Sequence, residues 1–167
     1  MSNERGLLGI MADTHDNLPL IRRACEFFNQ KGVVKVIHAG DYIAPFSVLT
    51  LKENLEVDFF GVFGNNDGER LGLIRASEGR IHPSPSVLKV GEWECLVGHD
   101  LSEEVAEAIA SSGRFRLVVF AHTHKALVKR VGESLLVNPG EVGGWLYGTS
   151  TVALVDLASL EGEIVKL

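Results

Sequence analysis

Three short apolar runs, separated by stretches with helical spacing, decide most of what this chain can fold into. They cover residues 7–12, 33–39 and 57–63. Runs of this length and character read as strands buried on both faces. Between the first two, Leu18, Ile21, Ala24, Cys25 and Phe28 recur on one helical face. Asn17 opens that helix as an N-cap, Pro19 sits in its first turn, and Gly32 closes it. Residues 45–54 read as a second helix and 69–76 as a weaker third. Such a βαβαβα start requires parallel strands joined by right-handed crossovers.

After residue 80 the rhythm changes. Residues 86–90 and 92–97 flank Gly91-Glu92 and read as a β-hairpin. Ser102, with Glu103 and Glu104 behind it, caps a helix reaching about Ser111. Residues 115–121 form another buried strand, and 126–131, 134–137, 149–156 and 163–167 are further strands between glycine-containing turns. A second sheet packed on the first, with helices outside, accommodates this order. The expected class is α/β, a two-sheet sandwich flanked by helices. With no linker, repeat or low-complexity segment, the 167 residues are expected to form a single domain, 1–167.

Charge and cysteine usage narrow the function classes. A net charge of -6 argues against a protein that coats nucleic acid or anionic membrane, so neither stable nucleic-acid binding nor membrane association is expected. A small anionic substrate stays open, because bound cations reverse the local field. Cys25 and Cys95 form no CxxC pattern, so a reducing cytoplasm is the expected location. The start Met1-Ser2-Asn3-Glu4-Arg5 leads into an apolar run too short for a signal peptide, and no run approaches the ~20 apolar residues of a membrane span.

The residues that follow each strand carry the chemistry. Run one ends in Asp13 and His15, run two in Asp41, and run three in Asn65 and Asp67. Later strands end in His99 and in His122 with His124. Ligands of open α/β sheets bind at the carboxyl ends of strands. Asp13 and His15, two apart, would point the same way in extended geometry and grip one ion. Mixed imidazole and carboxylate without thiolate suits Mn, Fe, Zn, Ni or Co rather than a structural cysteine-zinc site. Seven candidate ligands exceed what one ion with an open position needs. They suit two ions ~3.5–4 Å apart with a bridging carboxylate, which generate hydroxide and clamp a phosphoryl group. Asp41, centrally placed, is the candidate bridge.

The order Asp-x-His (Asp13, His15), Gly-Asp (Gly40, Asp41), Gly-Asn-x-Asp (Gly64, Asn65, Asp67), Gly-His (Gly98, His99) and His-x-His (His122, His124) resembles the calcineurin-like metallophosphoesterase family. Length and ending resemble its small bacterial and archaeal members, the YfcE and MJ0936 type of phosphodiesterase. The resemblance implies that Asp13, His15, Asp41 and His124 hold one divalent metal and that Asp41, Asn65, His99 and His122 hold the other. It implies manganese first, with Ni, Fe, Zn or Co as alternatives, a small phosphodiester substrate, and it allows a homodimer. Two other outcomes share the fold: a Vps29-like non-catalytic interaction scaffold, whose active-site positions are altered, and a phosphomonoesterase.

Three positions depart from the family pattern. Asn66 stands where many members have a histidine that protonates the leaving group, and asparagine can contact phosphate but cannot supply that proton. Leaving-group protonation then comes from water or another group, or the preferred leaving groups are good ones, which favours phosphodiester over monoesterase chemistry. Ala121 replaces a glycine before His122-Thr123-His124, and Glu141 follows the Asn138-Pro139-Gly140 turn where relatives carry serine. Glu141 would either repel an anionic substrate at the site's edge or bond a ligand from behind. Asp67 is expected to support the loop that holds Asn65. His38 reads as a core or supporting histidine, His82 as a surface loop residue, and Cys25 and Cys95 as core. Trp93, Trp145 and Tyr147 are left open between a substrate wall, an oligomer contact and local packing.

Overall fold

The computed structural model describes residues 5–167; the N-terminal segment 1–4, read above as part of a start without a signal peptide, lies outside them. The first run becomes β1 (Leu7–Met11), followed by α1 (Leu18–Lys31) and β2 (Lys35–His38). Then come α2 (Pro45–Asn54), β3 (Phe59–Val62), α3 (Arg70–Ser77) and β4 (Ile81–His82). The hairpin is β5 (Ser86–Val90) with β6 (Trp93–Val97), and α4 (Glu103–Ser111) leads into β7 (Leu117–Val119). The chain finishes with β8 (Leu127–Val131), β9 (Ser134–Asn138), β10 (Thr151–Asp156) and β11 (Glu161–Lys166).

These strands form two mixed sheets. One has the order β11-β10-β1-β2-β3-β4, the other β5-β6-β7-β9-β8. In the first, β1 to β4 are parallel neighbours, with β10 antiparallel to β1. In the second, β6, β7 and β9 are parallel. The alternation of each strand sorts its side chains between two cores. Leu8, Ile10, Ile37 and Val62 meet Val97, Leu117, Val119 and Val137 between the sheets. Met11 and Val36 instead face Ile21, Cys25 and Phe28 of α1 and Val48 and Leu51 of α2. On the far side, Ala106 and Ala110 of α4 cover Val118, Phe120 and Leu136. The result is the layered α/β/β/α sandwich expected from the sequence.

Local capping follows the sequence reading closely. Asn17 accepts from the Leu20 N–H and Ser102 from the Val105 N–H. Gly32 ends α1 at φ 63°, in the left-handed region. Cys25 and Cys95 are both buried and free, one under α1 and the other between the sheets, so no disulfide can join them. Burial pushes the Cys25 thiol up to about 12.

Two expectations are corrected. His82 is not a loop residue: it belongs to the short edge strand β4 and stacks on Phe60 with ring centroids 4.7 Å apart. Two residues of pairing are too few to leave a periodic signal. The strand expected over 115–121 shortens to β7; Phe120 N–H still bonds Val137 O, but Ala121 N–H turns to His99 O.

Phe28 is fully buried between α1 and the first sheet. Phe28→Ala is expected to cost about 3–5 kcal/mol of unfolding free energy, read by urea denaturation, through lost burial and the cavity left behind.

Candidate metal centre

Parallel strands in both sheets place their carboxyl ends on one edge of the sandwich, and the strand-end turns converge there. Asp13 follows β1 and is completely buried. Its Oδ1 lies 3.6 Å from His15 Nε2, 3.4 Å from His124 Nε2 and 3.9 Å from His99 Nε2. Neither of its carboxylate oxygens has a hydrogen-bond partner among the described residues. Asp41, after β2, is also completely buried, and its Oδ2 lies 3.3 Å from His15 Nε2 and 3.4 Å from His99 Nε2. Asn65 Oδ1 lies 3.0 Å from both His99 Nε2 and His122 Nδ1. All seven residues singled out from the sequence are thus brought together.

This donor set fits a divalent cation. Within it, Asp13, His15 and His124 present ligand atoms within 4.8 Å of one another, and so do Asp13, Asp41 and His99. A buried carboxylate without partners is costly, and a cation held by Asp13 and these imidazoles would offset that cost. The geometry also shows Asp41 facing both histidine groups, through His15 and His99.

The charges shift one another. The Asp13 carboxylate raises the His15 pKa above its ordinary value, burial opposes this, and Asp41 adds to it. At 3.6 Å the Asp13 contact is too long for a hydrogen bond, so charge attraction carries the effect. For His99, burial alone would lower the pKa, but the carboxylate of Asp41 outweighs it and the net shift is upward. For Asp41, burial alone would raise the pKa, yet His99 and Asn66 hold it well below the usual carboxylate range.

The backbone is unusual here. Asp13, His15, Asp41, His122 and His124 all have positive φ, between 40° and 66°. This corrects the extended geometry expected for Asp13 and His15: they converge through left-handed turns, not strand alternation. Such conformations are uncommon outside glycine and concentrate at functional sites. They persist because neighbouring bonds hold them. Asp13 N–H donates to Gly40 O at 3.0 Å and His15 N–H to Asp41 O at 3.1 Å.

Buried groups behind the ligands fix their orientation. Asp67 Oδ2 accepts from the N–H groups of Asp41 at 2.9 Å and Gly64 at 2.7 Å, while Oδ1 accepts from Ile43 at 2.8 Å. It therefore ties the turn after β2 to the turn after β3. The glycines of these turns are required by close approach. A Cβ on Gly64 would fall 2.0 Å from Asp41 Oδ1, and one on Gly40 would fall 2.7 Å from Gly64 N and His99 Nδ1. His99 Nδ1 donates to Ala39 O at 2.7 Å, which leaves Nε2 free to face the centre. His38 lies beneath: its Nδ1 accepts from the Gly40 N–H, so its Nε2 donates to Thr14 Oγ1 at 3.1 Å. Burial holds the His38 pKa down to about 3, keeping the ring neutral.

Comparison with known proteins decides the family. A sequence model of the calcineurin-like phosphoesterase superfamily domain matches residues 7–160. The chain belongs to the calcineurin-like phosphoesterase superfamily. It is 36% identical over 164 residues to phosphodiesterase MJ0936 of Methanocaldococcus jannaschii, covering 96% of this chain and 98% of that protein. The solved structure of an archaeal phosphodiesterase superposes with a TM-score of 0.87 at 34% identity, covering 96% of this chain and 99% of that one. Vps29 of Entamoeba histolytica superposes with a TM-score of 0.70 at 17% identity, over 96% of this chain and 99% of its own, a likeness of fold alone.

Within this superfamily frame the three departures have structural settings. Asn66 donates its backbone N–H to Asp41 Oδ1 at 2.9 Å and its side-chain amide to Asp41 Oδ2 at 2.8 Å, using one of its two amide hydrogens. Ala121 is buried with φ outside the left-handed region, so its methyl group is accommodated. Glu141 resolves toward the supporting role. It is buried, and Oε2 stands 3.1 Å from His124 Nδ1, at ion-pair distance but out of line for a hydrogen bond. Its two oxygens also accept from the N–H groups of Trp145 and Leu146. Sequence reasoning passed over Thr14, Ser84 and Asp16. Ser84 Oγ accepts from the His99 N–H, and Asp16 Oδ1 accepts from Ala44 N–H and Ser47 Oγ at the start of α2. No local pattern marks these contacts, which span 15 to 31 residues.

Because Glu141 stands behind His124, Glu141→Gln is expected to weaken divalent-metal affinity about 10–100-fold by titration calorimetry, with the circular dichroism spectrum unchanged. Asp67→Asn removes an acceptor from a buried three-bond cluster and is expected to lower unfolding free energy by about 1.5–3 kcal/mol in denaturant titration.

Proposed function

We propose that this protein is a metal-dependent phosphodiesterase acting as a single domain, 1–167, in the cytoplasm. The observation that carries the reading is the Asp13 carboxylate, buried and unpartnered within 4 Å of three imidazoles and next to Asp41. One divalent ion would be held by Asp13, His15, Asp41 and His124, the other by Asp41, Asn65, His99 and His122. Manganese is the first assignment, with Ni, Fe, Zn or Co as alternatives, since hard carboxylate and amide oxygens sit beside imidazoles. When bound, such ions supply a hydroxide nucleophile near neutral pH and neutralise phosphate oxygens. Similarity to a protein named a phosphodiesterase, over almost the whole chain, supports the same reaction here.

The protein's own groups set the terms of that reaction. Asp41 faces both ligand groups and is suited to bridging. The neutral oxygen of Asn65 adds no further negative charge, which preserves the electrophilicity of the centre. Asn66 can donate to phosphate through its remaining N–H but has no proton to give a leaving alkoxide. Diesters whose leaving groups depart without protonation are therefore favoured over monoesters. The scaffold reading expects altered positions at this edge, whereas all seven positions here carry competent ligand types.

Hydrolysis of bis(p-nitrophenyl) phosphate is expected with Mn²⁺ or Ni²⁺ and is expected to vanish after chelation. Asp41→Asn and His122→Ala are expected to lower kcat/KM by more than about 100-fold. Metal at 100 times its Kd is expected to raise unfolding free energy by about 2.7 kcal/mol. Absence of both metal-dependent turnover and metal-dependent stabilisation in the parent protein would refute the proposal.

A further inference from the structure

The loop between β9 and β10 presents three consecutive large apolar side chains to solvent: Trp145 at 68%, Leu146 at 61% and Tyr147 at 54% exposure. Isolated exposed apolar residues need no explanation, but three in a row on a tethered loop do. This loop is held at many points. Gly143 N–H donates to Asp13 O at 2.9 Å, and Asn17 Nδ2 donates to Gly143 O at 2.8 Å. Trp145 Nε1 donates to His15 O at 3.2 Å, and Glu141 takes the N–H groups of Trp145 and Leu146. The backbone of this loop and the Trp145 indole are thus held beside the metal centre by its own ligand-bearing segments.

Between this loop and the turn after His122 lies a cavity of about 360 Å³, lined by His124, Lys125, Ala126, Tyr147, Thr149 and Thr151. Its volume falls at the lower end of small-ligand sites. Its walls are mostly apolar, Tyr147 supplies an aromatic face, and the Lys125 ammonium has no carboxylate within 4 Å among the described residues. One wall, His124, turns its Nε2 to Asp13 at 3.4 Å. A group seated in the cavity is therefore one imidazole away from the centre. Trp93, by contrast, stands at the opposite end of β6, where it packs against the core between the sheets.

We infer that this cavity is a subsite for an aromatic ester group, an aryl ring or nucleobase, of a phosphodiester whose phosphate lies at the metal centre. Tyr147 offers a face for stacking, a contact tolerant of ring identity. Lys125 adds a cation at the rim for an anionic substrate. The inference rests on the phosphodiesterase reading for its biological meaning, and its test separates the two.

The probes are phenyl phosphate, thymidine 5'-monophosphate and methyl phosphate, titrated calorimetrically into Mn²⁺-loaded protein. Phenyl p-nitrophenyl and methyl p-nitrophenyl phosphate are compared kinetically in parallel. The aromatic monoesters are expected to bind about tenfold or more tightly than methyl phosphate, with the kinetic preference appearing mainly in KM. Tyr147→Ala is expected to remove most of that gap. Ala126→Leu, which fills the cavity from the other wall, is expected to do the same. A binding gap without hydrolysis of either diester would keep the subsite and reject the phosphodiesterase reading. Hydrolysis of both diesters with equal KM and equal monoester affinities would reject the subsite and keep the activity. A gap that survives both variants also overturns it, as does a dimer in sedimentation velocity that Tyr147→Ala dissociates while no gap exists, since the face then belongs to a second copy.

Discussion

The Asp67 carboxylate, accepting N–H groups from Asp41, Ile43 and Gly64, is the contact on which the arrangement of this edge depends. It joins turns from two adjacent parallel strands and so sets where Asp41 stands. Burial raises its pKa, the backbone donors oppose that rise, and neighbouring Asp41 adds repulsion. A carboxylate in that position is tolerated because each donor would otherwise be a buried, unpaired N–H. The positive φ values at Asp41 and Ile43 are supported by this acceptor together with the His15 N–H bond to Asp41 O.

The contrast between Asp67 and Asp13 explains how the protein separates scaffold from site. Asp67 is fully committed to backbone donors. Asp13, equally buried, is given none, and imidazoles approach it instead. Behind two of these imidazoles stands a buried oxygen: Ala39 O bonds His99, and Glu141 faces His124. Rigid strands bring the donors close, and left-handed turns aim them inward. Five of the candidate ligands, Asp13, His15, Asp41, His122 and His124, adopt that left-handed backbone.

Glu141 links this centre to the surface around it. One carboxylate faces His124 and also holds the loop bearing Trp145, Leu146 and Tyr147. Orientation of an inner histidine and placement of an outer aromatic wall are therefore set by the same side chain. The serine common at this position in relatives has neither the length nor the charge to do both.

The sequence by itself determined the parallel βαβαβα start of the first sheet, the caps at Asn17 and Ser102, and which side chains would meet at one edge. The physical reason is direction: parallel strands send all their carboxyl ends the same way, so residues after each strand must gather. Short-range chemistry made the helices legible, and α2 falls on the same residues, 45–54, that their pattern marks. Only the tertiary structure decided the rest. His82 becomes a strand residue because a neighbouring strand offers it an edge. Asp16 caps α2 from 28 residues away. Glu141 turns inward because His124 and two backbone N–H groups wait there. Asp13 and His15 converge through left-handed turns that packing, and not local preference, enforces. Such contacts join residues far apart in the chain, and the need to satisfy buried polar groups arises only once the two sheets have closed on each other.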